Sequence, residues 1–309
     1  MSAVAPGPSV SAVAPARARE EVRTESRVRL AVPNKGRLVE PTIALLRDAG
    51  LVFEDHERSL VSHCENHPLD ILFVRTEDVV EFVSDGVAEL GITGTNLLAE
   101  SGVDLPILAQ LGYGRCRLEA AVPSDAPQRT LEDLAGLRLA TSHPRTAART
   151  LAERGIAAEI VPLSGAVEVA PRMGLADGIV DLVSTGSTLV MNGLRSLGVL
   201  LASEAILVTS DEARRGRAEA VAHLTTMLES VTAGRRRKYL MMNAPRSALE
   251  EIEAVLPGLE SPSIIPLAHE GMVAVHAVVG ADEVWGLLAR LRSAGASGIL
   301  VVPIEKLLP

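Results

Sequence analysis

From residue 28 onward, short apolar runs alternate with stretches of helical spacing, and that rhythm limits the chain to few folds. Val28–Pro33, Leu69–Val74, Glu89–Thr93, Leu137–Thr141, Ile156–Pro162 and Ile179–Val183 are largely continuous in their hydrophobicity. Strands of this kind are covered on both faces, which implies an α/β fold built on a mainly parallel sheet. Between them the spacing predicts helices over Leu38–Ala49, closed by Gly50, over Thr76–Ser84 with Thr76 as N-cap, over Pro144–Arg154, and briefly over Ala166–Met173. The turn-rich stretch Pro123–Pro127 reads as a crossover to a second lobe, and Glu204–Val208 as a return strand rejoining the first sheet. Two lobes follow, one of residues 28–118 and 204–234 and one of residues 119–203, with a ligand-sized cleft expected between them.

After the helical stretch Glu212–Val231 and the basic run Arg235–Lys238 the rhythm changes. Strands over Tyr239–Asn243, Ser263–Leu267, Val273–Val279 and Gly298–Pro303 enclose helices over Ser247–Val255 and Asp282–Arg292. That order is βαββαβ, the ferredoxin-like arrangement, and it sets residues 235–309 apart as a third domain. At the other end, residues 1–27 are rich in Ala, Pro and Ser without a periodic apolar face, and read as a disordered tail. The tail lacks the basic-then-apolar order of a secretory signal.

Composition narrows the function classes. The net charge of −9 and a total of six aromatics (Trp 1, Tyr 2, Phe 3) argue against general nucleic-acid binding. No apolar run reaches the roughly 18 residues of a membrane span. Two cysteines, Cys64 and Cys116, form no disulfide framework and suggest a reducing, cytoplasmic setting.

Three strand-to-helix turns carry candidate chemistry. In Glu168–Asn192 an apolar strand broken only by Asp181 runs straight into Ser184-Thr185-Gly186-Ser187-Thr188, after which a helical pattern resumes. Backbone N–H groups and hydroxyls that converge there suit a phosphate, although no Walker lysine is present. An ordinary N-capped helix would use the same residues. The second turn, Pro33-Asn34-Lys35-Gly36-Arg37, sets two cations at a helix N-terminus, an unfavourable place unless a polyanion sits there. A solvated loop is the plainer alternative. Arg58 adds a cation to the same lobe, and Arg75 stands at the end of a strand, where open sheets gather their sites. The third turn, Gly91 to Asn96, allows close backbone approach but lacks the dinucleotide fingerprint, as does Gly112-x-Gly114. His63, Cys64 and His67 have no second pair at zinc spacing. No catalytic triad is legible.

Taken together, AVPNKGRL (31–38), ELGITG (89–94), the stretch Glu168–Leu194, YLMMNAPRSAL (239–249) and PGLESPSIIPL (257–267) closely resemble the ATP phosphoribosyltransferase family in its long form. The resemblance covers residues 28–309 and implies a two-lobed catalytic core of periplasmic-binding-protein-like fold with a C-terminal ACT-like regulatory domain. It implies transfer of the phosphoribosyl group from phosphoribosyl pyrophosphate to N1 of ATP with Mg2+, the first step of histidine biosynthesis. By similarity Ser184, Thr185, Gly186, Ser187 and Thr188 cradle the 5′-phosphate, and Asp181 with Glu168 holds the ribose hydroxyls. Arg37 and Arg58 face the departing pyrophosphate, with Lys35 and Arg75 on substrate phosphates. Thr93, Gly94 and Asn96 lie near the adenine nucleotide. Many relatives carry Asp where this chain has Asn96. The resemblance also implies feedback inhibition by histidine, with Ser263 a candidate contact, and assembly into dimers and hexamers. No metal ligands are assigned. Two other readings share the architecture. A solute-binding protein would normally be exported and has no use for the 184–188 loop, and a purely amino-acid-binding regulator has no use for clustered Lys35, Arg37 and Arg58.

Overall fold

The computed structural model describes residues 27–54, 60–256 and 261–308. The chain starts with β1 (Val28–Pro33), α1 (Val39–Asp48), β2 (Val61–His63), β3 (Leu69–Val74), α2 (Val79–Ser84), β4 (Leu90–Gly94), α3 (Thr95–Ser101) and β5 (Ile107–Gln110). A second lobe follows: β6 (Cys116–Pro123), β7 (Arg138–Thr141), α4 (Pro144–Glu153), β8 (Glu159–Pro162), β9 (Gly178–Val183), α5 (Ser187–Met191) and β10 (Leu194–Ser203). The chain then returns through β11 (Ala205–Thr209), α6 (Asp211–Gly216) and α7 (Ala218–Arg235). The last domain comprises β12 (Arg237–Pro245), α8 (Leu249–Val255), β13 (Ser263–Pro266), β14 (Met272–Gly280), α9 (Val284–Ser293) and β15 (Ser297–Pro303).

Lobe I holds a sheet of order β2-β3-β1-β4-β11-β5. Its centre, β3-β1-β4, is parallel, and the return strand β11 slots antiparallel between β4 and β5. Both faces are covered, as continuous apolar strands require. Leu45 and Leu46 of α1 share one core with Leu30, Val32 and Ile71 of the sheet and with Leu224 and Leu228 of α7. On the other face, Val79, Val80 and Val83 of α2 pack on Ala31, Ile206 and Val208. Each such fully buried aliphatic side chain contributes about 1.5–3 kcal/mol relative to exposure. Lobe II has the order β10-β6-β9-β7-β8, and the third domain is an antiparallel sheet of order β13-β14-β12-β15 with both helices on one face. That strand order is the ferredoxin-like one read from the sequence.

Several expected boundaries move. The crossover between lobes lies at 111–115 rather than at the 123–127 turn, so Cys116–Leu118 belong to lobe II as the start of β6. Gly112 and Gly114 adopt positive φ (78° and 64°) there, and a Cβ on Gly114 would fall 2.2 Å from Leu38 Cδ2. The outgoing and returning segments are tied by Leu111 N–H to Ala205 O and Ala205 N–H to Tyr113 O, each 2.9 Å. Thr76 does not cap α2: its hydroxyl donates to Lys35 O, and Asp78 holds the N-cap position. The long helix predicted over Glu212–Val231 is broken at Arg217 into α6 and α7. Residues 166–173 hold a short 3-10 turn, Val167–Val169, in place of an α-helix. Arg27, assigned above to the tail, ion-pairs with Asp70 and donates to the Leu69 carbonyl at 2.6 Å.

The chain ends against lobe I. Leu307 N–H donates to Ser230 O of α7 at 2.8 Å, and a Cβ on Gly234 would fall 2.7 Å from Ile304 O. Arg235 adds an ion pair to Asp48 at 2.7 Å. Among the described residues no helix is long and apolar enough to cross a membrane.

Candidate active site in the inter-lobe cleft

The turn after β1 and the turn after β3 sit side by side at the carboxyl ends of neighbouring parallel strands, where open α/β sheets form their sites. They are bonded together by Asn34 N–H to Val74 O (2.7 Å) and Thr76 Oγ1 to Lys35 O (3.2 Å). Gly36 turns the chain at φ +84°, which throws Lys35 and Arg37 outward, and Arg75 is exposed at the end of β3. Buried among them, Asn34 Oδ1 has no hydrogen-bond partner among the described residues. An unsatisfied buried acceptor in a cationic turn is a position that a donor from a ligand would complete.

Lobe II supplies the complementary turn. Directly after β9, Ser184, Thr185, Ser187 and Thr188 are exposed and Gly186 takes φ +82°. Thr185 Oγ1 and Ser187 Oγ lie 2.9 Å apart and organise the loop, while the N–H groups of Thr185 and Gly186 bond to no backbone carbonyl of the described chain. Three residues upstream, Asp181 is partly buried, and its carboxyl sits above its ordinary value. Burial is the main cause; the Leu182 N–H opposes it and the charge of Glu168 adds to it. Glu168 reaches this neighbourhood because Ala166, before it, takes φ +51°, the sole positive-φ non-glycine among the described residues. That conformation costs on the order of 1–3 kcal/mol.

The two turns meet. Arg37 Nη1 donates to Ser184 Oγ at 3.2 Å, and Nη2 points to Cys116 Sγ at 2.6 Å. One lobe I cation therefore bridges to the lobe II loop across the cleft. Beside it lies a cavity of about 420 Å3 lined by Thr95, Arg115, Cys116, Arg117, Ser184 and Ser203 among others.

The Gly91–Asn96 turn departs from expectation. Thr93 and Gly94 are buried in β4, and Asn96, 4% exposed, spends its side chain on His143 and Ser203 of lobe II. Thr95 is the residue of that turn which lines the cavity. Arg58 lies outside the described residues. Ser263 does not line that cavity but a second one, of about 1090 Å3, between the core and the third domain, with Arg236, Tyr239 and His276; Arg115 lines both. Cys116, which receives Arg37, and Glu119, which faces Asp181 across the β6–β9 ladder and pairs with Arg117 at 2.6 Å, carry no motif and were missed. Of the doubtful cluster, His63 bonds Asp70 at 2.7 Å, and burial pushes the Cys64 thiol up to about 11.

Fold and cleft define a two-lobed α/β protein with an appended ferredoxin-like domain, whose cleft sets a cationic turn against a hydroxyl-rich one. Comparison with known proteins agrees. Residues 75–230 match the family model described as ATP phosphoribosyltransferase, and residues 234–306 match that of its C-terminal domain. An ATP phosphoribosyltransferase of Gemmatimonas aurantiaca is 46% identical over 91% of this chain and 100% of its own length. One from Parabacteroides distasonis is 40% identical over 91% of this chain and 99% of its own. The solved ATP phosphoribosyl transferase (HisG:HisZ) complex from Thermotoga maritima contains a chain 31% identical, with a TM-score of 0.57, covering 65% of this chain and 96% of that one. The chain belongs to the ATP phosphoribosyltransferase family, transferases of the first step of histidine biosynthesis.

Proposed function

We propose that the cleft binds phosphoribosyl pyrophosphate across the two lobes and presents its anomeric carbon to N1 of ATP. Adenine N1 attacks C1′ with its lone pair as the bond from C1′ to pyrophosphate breaks, and the bonding pair leaves on the pyrophosphate oxygen. The nucleophile is unprotonated at neutral pH, so no strong general base is required. Help goes instead to the leaving group and to positive charge developing on the ribose. Arg37, with Lys35 and Arg75 nearby, meets the pyrophosphate. Ser184–Thr188 offers hydroxyls and main-chain N–H groups to the 5′-phosphate. Asp181 and Glu168 accept from the ribose hydroxyls and lie close enough to favour a cationic sugar. The observation that carries this reading is the Arg37–Ser184 bond, which joins the leaving-group cation to the phosphate loop.

Mg2+ enters this reading as the companion of the substrate pyrophosphate. Among the described residues no three His, Cys, Asp or Glu side chains gather into a ligand set, and no step is derived through the metal. The regulatory half of the reading places histidine in the cavity lined by Ser263, where Tyr239 Oη and His276 Nδ1 lie 2.9 Å apart and the lining also carries Arg236, Arg237, Asp282 and Glu283. Association into homo-oligomers belongs to the same reading; a relative solved as a HisG:HisZ complex supports assembly as such.

The test is formation of N1-phosphoribosyl-ATP, followed by its ultraviolet absorbance, with both substrates and Mg2+ present. Product is expected, and histidine is expected to suppress it. Absence of product at saturating substrate overturns the catalytic reading. Inhibition that survives both Ser263→Trp, which crowds one wall of the cavity, and His276→Ala, which breaks the Tyr239–His276 bond within it, overturns the histidine assignment.

A further inference from the structure

Beneath the cleft the lobes touch a second time. Asn96 on α3 donates its amide Nδ2–H to His143 Nε2 at 2.9 Å. Its Oδ1 accepts from Ser203 Oγ at 2.8 Å, and its backbone N–H donates to the same hydroxyl at 3.0 Å. One turn along α3, the Glu100 carboxylate accepts the N–H groups of Arg145 (2.9 Å) and Thr146 (2.8 Å), capping α4 across the lobe boundary. The Arg145 guanidinium returns a 2.7 Å bond to Ser101 O. Asn96 and His143 are 4% and 6% exposed, so water offers little replacement for a broken bond.

The pattern dictates a protonation state. With Oδ1 occupied by Ser203, the Asn96 group facing His143 is NH2, so Nε2 must accept. The single ring proton then sits on Nδ1, 2.9 Å from Ser142 Oγ. Burial favours that neutral ring, Glu100 on α3 opposes it and Arg37 favours it, with burial dominant, so His143 titrates below its ordinary value. Arg145 on α4 is the other charge at this join, and β10 contributes only the Ser203 hydroxyl.

We propose that Asn96, Glu100 and neutral His143 form an inter-lobe clasp that acts as a positioning device for the transfer, fixing the span between Arg37 on one lobe and Ser184 on the other. The proposal rests on the cleft being the sugar-diphosphate site. A substrate that bridges both lobes binds only molecules holding the right span, so loosening the clasp lowers the competent fraction and raises the KM for phosphoribosyl pyrophosphate. At saturation the substrate itself restores the span and kcat is retained. Protonated His143 would set N–H against NH2, and turning the amide over would lose the Ser203-to-Oδ1 bond.

The full chain is tested with spin labels on Glu81→Cys and Asp125→Cys, exposed residues of lobes I and II, while both native cysteines are buried. In His143→Leu the inter-lobe distance distribution should broaden and KM for phosphoribosyl pyrophosphate rise about tenfold, with kcat within about twofold. His143→Gln, whose carbonyl can accept the Asn96 amide, should restore both. Long-range 1H–15N spectra of the wild-type ring should report the Nδ1–H tautomer at about pH 7. An unchanged distance distribution, an Nε2–H tautomer, or a fall in kcat at constant KM that Gln does not rescue would each overturn the clasp. Direct binding of phosphoribosyl pyrophosphate to Gly186→Val decides the cleft assignment separately, so the two failures are read apart.

Discussion

The turn after β1 and the turn after β9 occupy equivalent places, each leaving the end of a buried strand for a helix, yet they are chemically opposite. Lobe I presents Lys35, Arg37 and Arg75, with full charges on flexible stems. Lobe II presents Ser184–Thr188, with hydroxyls and main-chain N–H groups and no charge. A cation attracts any phosphate from a distance but orients it poorly, whereas fixed dipoles orient it and add little at long range. Dividing the two jobs between lobes means that a ligand must engage both to gain either advantage fully. Arg37 is where the division breaks down, because it crosses to Ser184.

The sharpest way to break the contrast is Arg37→Ala, which removes the crossing cation. On the proposed role kcat falls by about 10²–10³-fold, in line with the loss of one preorganised stabiliser of leaving-group charge. Arg37→Lys should recover little, since an ammonium cannot span Ser184 and Cys116 together. Steady-state rates of product formation measure both. Next comes Gly186→Val, which places a β-branched residue at φ +82° in the dipole turn. Affinity for phosphoribosyl pyrophosphate by calorimetry should drop more than about tenfold, or 1.4 kcal/mol, while ATP binding changes less. Thr188→Ala deletes one hydroxyl and should raise KM about threefold to tenfold, with the fold unchanged by circular dichroism.

The smallest effect is on stability. The Asp181 carboxyl binds its proton more tightly folded than unfolded, so its ionisation destabilises the fold as pH rises above the ordinary carboxylate value of 3.8. Asp181→Asn should remove that loss and raise the Tm by about 2 °C at neutral pH while lowering activity. A variant that melts earlier would mean that the carboxylate is a structural partner and not a held-ready ligand group. His143 carries the opposite pH signature. Its folded value lies below the unfolded 6.5, so the stability it confers is complete above 6.5 and is lost as pH falls from there through the lower folded value. Thermal melts between about pH 5 and pH 8 of wild type and His143→Gln separate this contribution from the rest.

The rhythm of strands and helices was legible because a doubly covered sheet leaves a continuous apolar trace, as in Val28–Pro33 and Gly178–Val183. The turns were legible by residue type. What could not be read was partnership across the chain. Arg37 and Ser184 are 147 positions apart, and Asn96 meets His143 and Ser203 at separations of 47 and 107. No local pattern encodes such pairings. The resemblance sets Asn96 near the nucleotide, and the structure adds that its side chain is buried against His143 and Ser203 at the lobe boundary. β10 escaped notice because two register shifts against β6 scramble its alternation. The glycines at 112 and 114 failed a dinucleotide motif and were set aside, although their φ values serve the crossover.

The way the chain ends has a practical bearing on engineering. Residues 304–307 lie over the last turns of α7, so close that position 234 tolerates no side chain. A catalytic core cut free at residue 235 would uncover this stretch of the helix and remove the Leu307 N–H that the Ser230 carbonyl accepts. Minimal versions of this transferase therefore call for resurfacing at positions 230 and 234, not a bare stop codon. Replacement of the third domain by another would call for a strap to lie over the end of α7 in the same way.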